Sequence, residues 1–465
     1  MILKLLYLVQ FSELVIGLRS APNIIFIMAD DLGFNDVSWH NPDISTPNLH
    51  NLGRSGVILE QNYVQPICTP SRATLLTGLY PIHTGRQHRV LLNEEPRGLF
   101  TNLTLLPQYL KELGYSTHLV GKWHLGFCNE DYLPTRRGFD SFLGYYNGAE
   151  DYYKHNLPAQ LNPHSIGYDF REGEKIDKKY SDKYSAHVFS ERAEQIIRNH
   201  NTSVPLFLYL AAQSVHAPLQ VPQEYEIPYA HIKNRARRTF SGMVSALDEA
   251  VGNITKALEQ TGQIKNTIIV FSTDNGGQIK NGGNNFPLRG NKNTLWEGGT
   301  RGVAFITGPG VPGGRISNQL FHISDWVPTL LSAAGYDMGN LVGLDGLDQW
   351  KTIKNGEQSP RIEMLYNIDP YHDPGSGSGP VGAIRVGEYK LIKGNPGKPD
   401  GWVPPDSVSN TELVHLEDIN NINISSGNQP LSWSSEDELG GEEYKDKELF
   451  LFNLDSDPTE KINLR

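Results

Sequence analysis

Cysteine is almost missing: the 465 residues include two, Cys68 and Cys128. A disulfide framework is therefore excluded, and if either thiol is catalytic no intrachain bridge remains. Exported chains of this size usually carry bridges, so the count weighs against export. Long apolar runs are also missing after the first twenty residues; none reaches the ~18 residues that a membrane span requires. Basic charge is in deficit, with 41 Lys and Arg against 52 Asp and Glu, a net charge of −11, and no long block of either sign. That excludes a nucleic-acid partner, which needs a basic face against its phosphates. A small basic pocket for a compact anion remains compatible with it.

What is present begins with a hydrophobic fraction of 38%, enough for a substantial core and against global disorder. The length suits one large domain plus a smaller one. Residues 1–20 resemble a secretory signal peptide: Lys4 supplies a basic start, residues 5–16 an apolar stretch, and Gly17 and Ser20 small residues for cleavage. Four N-x-S/T sequons, at Asn102, Asn201, Asn253 and Asn423, point the same way. The expected location is the secretory pathway, lysosomal or extracellular.

Short apolar, β-branched runs alternate with helical spacing. Residues 23–29 (NIIFIMA), 116–120 (STHLV), 205–211 (PLFLYLA), 267–272 (TIIVFS) and 303–307 (VAFIT) read as strands apolar on both faces. Residues 105–113, 186–197 and 240–258 read as helices between them. This predicts an α/β domain over 22–358, a large mixed, mostly parallel sheet sandwiched by helices. From 359 the texture changes. Residues 382–393 and 448–454 read as strands, and 394–447, rich in Pro, Gly, Asn, Ser and acids, as a long surface loop. A smaller, antiparallel C-terminal domain is expected over 359–465.

Polar residues cluster directly after the strands. The first run is followed by Asp30-Asp31, the second by Gly121-Lys122-Trp123-His124, the third by Ser214-Val215-His216 and the fourth by Thr273-Asp274-Asn275-Gly276-Gly277. In open α/β sheets ligands bind at the carboxyl ends of strands, so all four would meet at one edge. Asp30, Asp31, Asp274 and Asn275 are oxygen donors suited to a hard cation such as Ca²⁺ or Mg²⁺. Taken singly, Asp-Asp is also an ordinary helix cap and Asp-Asn-Gly-Gly an ordinary hairpin turn.

The segment CTPSRATLLTG (68–78) leads into a helix, which places Cys68 at its positive end, where anions are favoured. Arg72 adds a planar, bidentate donor for a tetrahedral oxyanion. A buried structural thiol is the plain alternative for Cys68. The segment matches the signature C-x-P-S-R-x-x-x-x-T-G of the sulfatases, and GKWHLG (121–126) matches the second signature of that family. PTRRGFD (134–140), QSVHAPLQVP (213–222), STDNGGQ (272–278), LWEGGTRG (295–302) and HISDWVPTLL (322–331) resemble the arylsulfatase B type in particular, and the similarity runs from about residue 22 onward.

The resemblance implies an alkaline phosphatase-like fold and hydrolysis of sulfate esters. It implies that Cys68 is converted to formylglycine by a formylglycine-generating enzyme, and that one Ca²⁺ is held by Asp30, Asp31, Asp274, Asn275 and residue 68. Arg72 would fix residue 68 and the metal cluster. Lys122 and Lys292 (in LRGNKNTLW) would bind sulfate oxygens. His216 would protonate the leaving alcohol, and His124 would take the proton that lets sulfate depart from the modified residue. The implied substrates are sulfated sugars such as N-acetylgalactosamine 4-sulfate, or small sulfate esters such as glucosinolates.

The chain departs from relatives of this type in lacking disulfides and in ending at Arg465, where they continue; the second domain is expected to be short. A two-zinc phosphatase would share the sheet but normally carries Ser or Thr as nucleophile and more His ligands. A non-catalytic binder of sulfated glycans is the third reading, opposed by the completeness of the ten site positions. Trp39 and His40, after the first strand, could touch substrate; His83, His88, His118 and His322 carry no motif.

Overall fold

The computed structural model describes residues 21–160, 164–371, 380–397 and 449–465. The signal-like segment, the Asn423 sequon and nearly all of the 394–447 loop lie outside them. A ten-stranded sheet forms the core of the larger domain. Its five central strands run parallel in the order Thr267–Thr273, Asn23–Ala29, Leu206–Ala211, Ser116–Lys122, Ser141–Tyr145. Antiparallel pairing enters on both sides: Ala304–Thr307 lies against Thr267–Thr273, and Arg171–Glu172 against Ser141–Tyr145. The sheet is therefore mixed, and the run read as 303–307 is one of its antiparallel members.

Alternation explains why these strands are apolar throughout. Successive side chains point to opposite faces. Ile25, Ile27 and Ala29 enter one core with Val188, Phe189 and Met243, from the helices Ser185–Asn199 and Arg235–Gln260. Ile24, Phe26 and Met28 enter the other with Leu75, Leu110 and Leu330, from the helices Cys68–Thr77, Leu106–Glu112 and Trp326–Ala334. The Arg235–Gln260 helix begins where the Asn234 side chain accepts the Arg237 amide at 3.1 Å. Its buried Phe240, Met243, Val244, Leu247, Val251, Ile254 and Leu258 form a stripe at three- and four-residue spacing against the sheet.

The C-terminal part builds a four-stranded antiparallel sheet from Glu363–Asp369, Val381–Val386, Tyr389–Lys393 and Leu449–Asn453. Gly387 turns the central hairpin at φ 57. Met364, Tyr366, Ile392, Phe450 and Phe452 pack with Trp296 and Leu295, so this sheet closes on the loop that follows the catalytic edge. Among the described residues no helix is long and apolar enough to cross a membrane.

Candidate active site

Because the central strands are parallel, their carboxyl ends share one edge. There the chain assembles the ten residues singled out from the sequence. The strand Ser116–Lys122 runs two residues further than its apolar pattern suggests, so Lys122 lies on it. The extension needs glycine at 121: with φ 108, a Cβ there would sit 1.9 Å from the Ala211 carbonyl oxygen.

Cys68 is the first residue of a ten-residue helix in which every residue is buried. Ile67 caps it with no side-chain acceptor, so the first-turn amides are left to an anion at that end. The Cys68 sulfur lies 3.7 Å from Asp30 Oδ1. Burial pushes its thiol up to about 12, against the pull of Lys122 and Lys292. A thiol of that kind stays protonated at neutral pH and is a poor nucleophile. Cys128 is exposed.

Around Cys68 the charges interlock. Lys122 Nζ donates to Asp30 Oδ2 at 2.6 Å, and Lys292 Nζ donates to Asp31 at 2.8 Å. Arg72 donates through Nε and Nη2 to Asp274 Oδ2, at 3.1 and 2.8 Å, and Nη2 also lies 3.3 Å from Asp30 Oδ2. Arg72 sits one helical turn after Cys68, which is why the i, i+4 spacing delivers both to one face. Burial works to raise the Asp30 carboxyl, but Lys122, His216, Arg72 and Lys292 hold it far below the usual carboxylate range. Asp274 goes the other way, upward, from burial and the charge of Asp30. Three carboxylates thus face three fixed cations, and a divalent ion added to them would leave the pocket positive and ready for an anion.

A group of four residues could hold a metal, and it differs from the expected set: His216 lies in it, while Asp274, engaged by Arg72, does not. Oxygen or sulfur atoms of Asp30, Asp31 and Cys68 and a ring nitrogen of His216 lie within 4.8 Å of one another. Asn275 donates its amide to Asp31 Oδ1 at 2.8 Å, which turns its own Oδ1, buried and with no hydrogen-bond partner, into an available ligand. A buried oxygen of that kind is costly unless something occupies it. Asp31 holds φ 59, a left-handed conformation uncommon for a residue with a side chain and typical of functional sites.

The two histidines are placed differently. His216 turns Nδ1 to the Ala217 carbonyl at 2.6 Å, leaving Nε2 on the site side, 3.8 Å from Asp31 Oδ2. Burial, then Lys292, lower it to about 4, so it is neutral in the ligand-free protein. His124, also left-handed at φ 58, points Nε2 at the Leu91 carbonyl at 3.0 Å. Its Nδ1 is buried without a partner. Gly148 makes room for the ring: a Cβ at 148 would lie 2.6 Å from His124 Cε1. His40 engages both ring nitrogens, one with the Phe34 carbonyl at 2.6 Å and one with Glu60 at 3.0 Å.

Sequence reasoning missed the supports. Ser71 donates to the Asp274 carbonyl and accepts the Gln65 amide at 2.9 Å, tying the Cys68–Thr77 helix to the end of the Thr267–Thr273 strand. It lies in the signature segment, but nothing in its spacing announces that role.

Comparison with known proteins agrees with this edge. A family model described as "Sulfatase" matches residues 22–336. Arylsulfatase J of Mus musculus is 45% identical over 96% of this chain and 73% of its own length. N-acetylgalactosamine-6-sulfatase of Mus musculus is 30% identical over 83% of this chain and 74% of its own, and human arylsulfatase A 31% identical over 79% and 74%. Among solved structures, Ps i-CgsB in complex with k-i-k-neocarrahexaose superposes with a TM-score of 0.76 at 30% identity, covering 96% of this chain and 89% of that one. The fold reaches further, to a phosphonate monoester hydrolase of Agrobacterium radiobacter with a TM-score of 0.62 at 16% identity, over 95% of this chain and 91% of that one. The chain belongs to the sulfatase family, and it is a sulfuric ester hydrolase of the alkaline phosphatase-like fold.

Proposed function

We propose that this sulfatase removes sulfate from sulfated sugars, of the N-acetylgalactosamine 4-sulfate type, with formylglycine made from Cys68 as nucleophile and one Ca²⁺ in the site. The observation that carries the reading is the placement of Cys68. It stands at a helix N-terminus with its sulfur 3.7 Å from Asp30 Oδ1, in one group with Asp31 and His216. The place suits a nucleophile, and conversion of the thiol to a hydrated aldehyde by a formylglycine-generating enzyme would supply one there. Such a hydrate would place two hydroxyls on one carbon, the chemistry needed both to take up sulfate and to release it. Asp30, Asp31, Asp274, Asn275 and residue 68 would hold a hard cation, which supplies Lewis-acid polarisation of the sulfate.

The protein's own groups do the rest. Lys122 and Lys292, each fixed on a carboxylate, orient the sulfate oxygens and offset charge that grows in the transition state. Arg72 keeps Asp274 and residue 68 in register. His216 holds its Nδ1 proton on Ala217 and serves the leaving oxygen through Nε2; the arriving sulfate anion offsets the Lys292 charge that helps keep the ring neutral. His124, with Nε2 committed to Leu91, offers Nδ1 as the acceptor for the later proton.

A sugar substrate is supported by the N-acetylgalactosamine-6-sulfatase relatives and by the neocarrahexaose complex of the similar structure. Passage through the secretory pathway to the lysosome or outside the cell is supported by the sequons at Asn102 and Asn201, both exposed, whereas Asn253 lies half-buried on a helix. The test is a panel of 4- and 6-sulfated N-acetylgalactosamine, other sulfated sugars and small sulfate esters, run on secreted protein. The peptide spanning residue 68 should weigh about 18 Da less than its cysteine form, the change from CH₂SH to CHO. Full activity from protein whose residue 68 remains cysteine would overturn the nucleophile, and a preference for a non-sugar ester the substrate.

A further inference from the structure

Lys292 lies on no strand end. It is carried by the segment 288–297, and the segment is held from two sides. Toward the catalytic edge, the Lys292 amide donates to the Gly277 carbonyl at 3.2 Å and the Asn293 amide to the Pro66 carbonyl at 2.7 Å, two residues before Cys68. Toward the C-terminal sheet, Glu460 meets both ends at once. Its carboxylate Oε2 accepts the Glu297 amide at 2.7 Å, and its main-chain carbonyl accepts Arg289 Nη1 at 3.0 Å. Arg289 lies 4.1 Å over the ring of Trp296, whose Nε1 donates to the Gly397 carbonyl at 2.9 Å.

Beneath this contact Lys390, fully buried, bridges Glu297 at 3.0 Å and Glu460 at 2.7 Å. Glu297 also accepts the hydroxyls of Tyr63 at 2.7 Å and Tyr366 at 2.8 Å. Glu460 itself has φ 56 and no exposed surface, a backbone state that a glutamate keeps only when its surroundings fix it. Two carboxylates and an ammonium without solvent are a poor source of stability compared with apolar packing. Their geometry accounts for them better: they join residues 289 and 297, the ends of the segment that aims Lys292.

We infer that Glu460 and Lys390 are positioning residues of the active site. They clamp the 288–297 segment so that the Lys292 ammonium stays on Asp31 and meets the sulfate, and they make the C-terminal sheet part of the catalytic apparatus. The inference rests on the sulfate-binding role proposed above for Lys292. A misplacement of about 1 Å in a positioned group costs on the order of 10²-fold in rate.

The test uses the full chain with residue 68 modified, and the variants Glu460→Ala, Glu460→Gln, Lys292→Ala and the double variant Glu460→Ala/Lys292→Ala. With nitrophenyl sulfate, Glu460→Ala should lose about 10- to 100-fold in kcat/KM. Glu460→Gln, which keeps an acceptor for the Glu297 amide, should recover most of that loss. Amide hydrogen exchange should speed up over 288–298 in Glu460→Ala while the central strands keep their protection. In the Lys292→Ala background, Glu460→Ala should cost less than about twofold more, because coupled positions do not add. A folded Glu460→Ala with unchanged kcat/KM and unchanged exchange over 288–298 overturns the clamp, as does a loss that multiplies in full with that of Lys292→Ala. If Glu460→Ala does not fold, Glu460→Gln carries the exchange measurement, and slow, parent-like exchange there together with a full loss of activity overturns it too. Unchanged turnover in Lys292→Ala removes the role of Lys292, while the exchange result still judges the clamp.

Discussion

Replacing Lys122 by Met keeps most of the side-chain volume and removes one charge from the centre of the site. In the parent, Lys122 Nζ lies 2.6 Å from Asp30 Oδ2 and both side chains are fully buried. At an effective dielectric near 20 their attraction is about 6 kcal/mol. Most of that offsets the burial of the two charges, and breaking a buried pair from one side typically costs about 3–5 kcal/mol. Arg72 remains 3.3 Å from the same oxygen, so the lower end, about 3 kcal/mol, is expected for stability in the metal-free protein. Catalysis should lose more than stability does. A missing donor to the developing charge costs about 10²- to 10³-fold in kcat. The two effects separate with Ca²⁺: a bound cation compensates Asp30 and restores thermal stability, but it does not replace the donor to sulfate. Melting temperatures with and without Ca²⁺, together with kcat on nitrophenyl sulfate, make the comparison. A Lys122→Met protein that binds Ca²⁺ and turns over within about tenfold of the parent would refute the assignment of Lys122 to the sulfate oxygens.

Asp274→Ala removes the partner of Arg72 and one of the cation ligands proposed above; bound metal, read by elemental analysis, and activity should both fall, and unchanged metal content would leave Asp274 a structural residue. His124→Ala should release one burst of alcohol and then stall with added sulfate mass on the residue 68 peptide, whereas His216→Ala should slow sugar sulfates more than nitrophenyl sulfate and trap nothing; equal losses on both substrates with no trapped mass would refute the division. His322 is buried between Gln65 and Ser324 and held well below its ordinary value by burial and then by Arg361. The unfolded chain therefore binds a proton near pH 6.5 that the folded chain refuses, and stability contributed above that pH is lost as pH falls, at about 1.4 kcal/mol per unit. His322→Gln should flatten the decline in melting temperature between pH 6.5 and 5; an unchanged slope would show that His322 does not contribute to it.

The legible parts of this protein are those whose cause is local. Residues 24–29 announce a strand buried on both faces because every position is apolar, and Asp30-Asp31 points to a site once Asp274-Asn275 is seen to follow a second strand of the same kind. Helical spacing puts Arg72 over Cys68 without knowledge of the fold. What stayed hidden depends on distant partners. Val57–Leu59 and Arg315–Ser317, at one side of the sheet, are three residues each, too short for a period to show. Lys292 follows no strand, and only the family resemblance singled it out. No motif marks Glu460, yet it is fully buried, with Lys390 and the Glu297 amide, 163 residues away, completing its contacts.

The overall charge and the site charge oppose each other, and the arrangement of the fold explains how both persist. Surface charges separated by more than about 8 Å are screened at physiological ionic strength, so the net −11 acts weakly on an anion already inside the pocket. Lys122, Lys292 and Arg72 are almost fully buried around the proposed sulfate position and are screened far less than the surface charges. Each is held by a carboxylate before substrate arrives, so little reorganisation is left for the moment of reaction. The burial that pushes the Cys68 thiol up is the same burial that makes these cations effective, and the modification proposed for that side chain would reconcile the two.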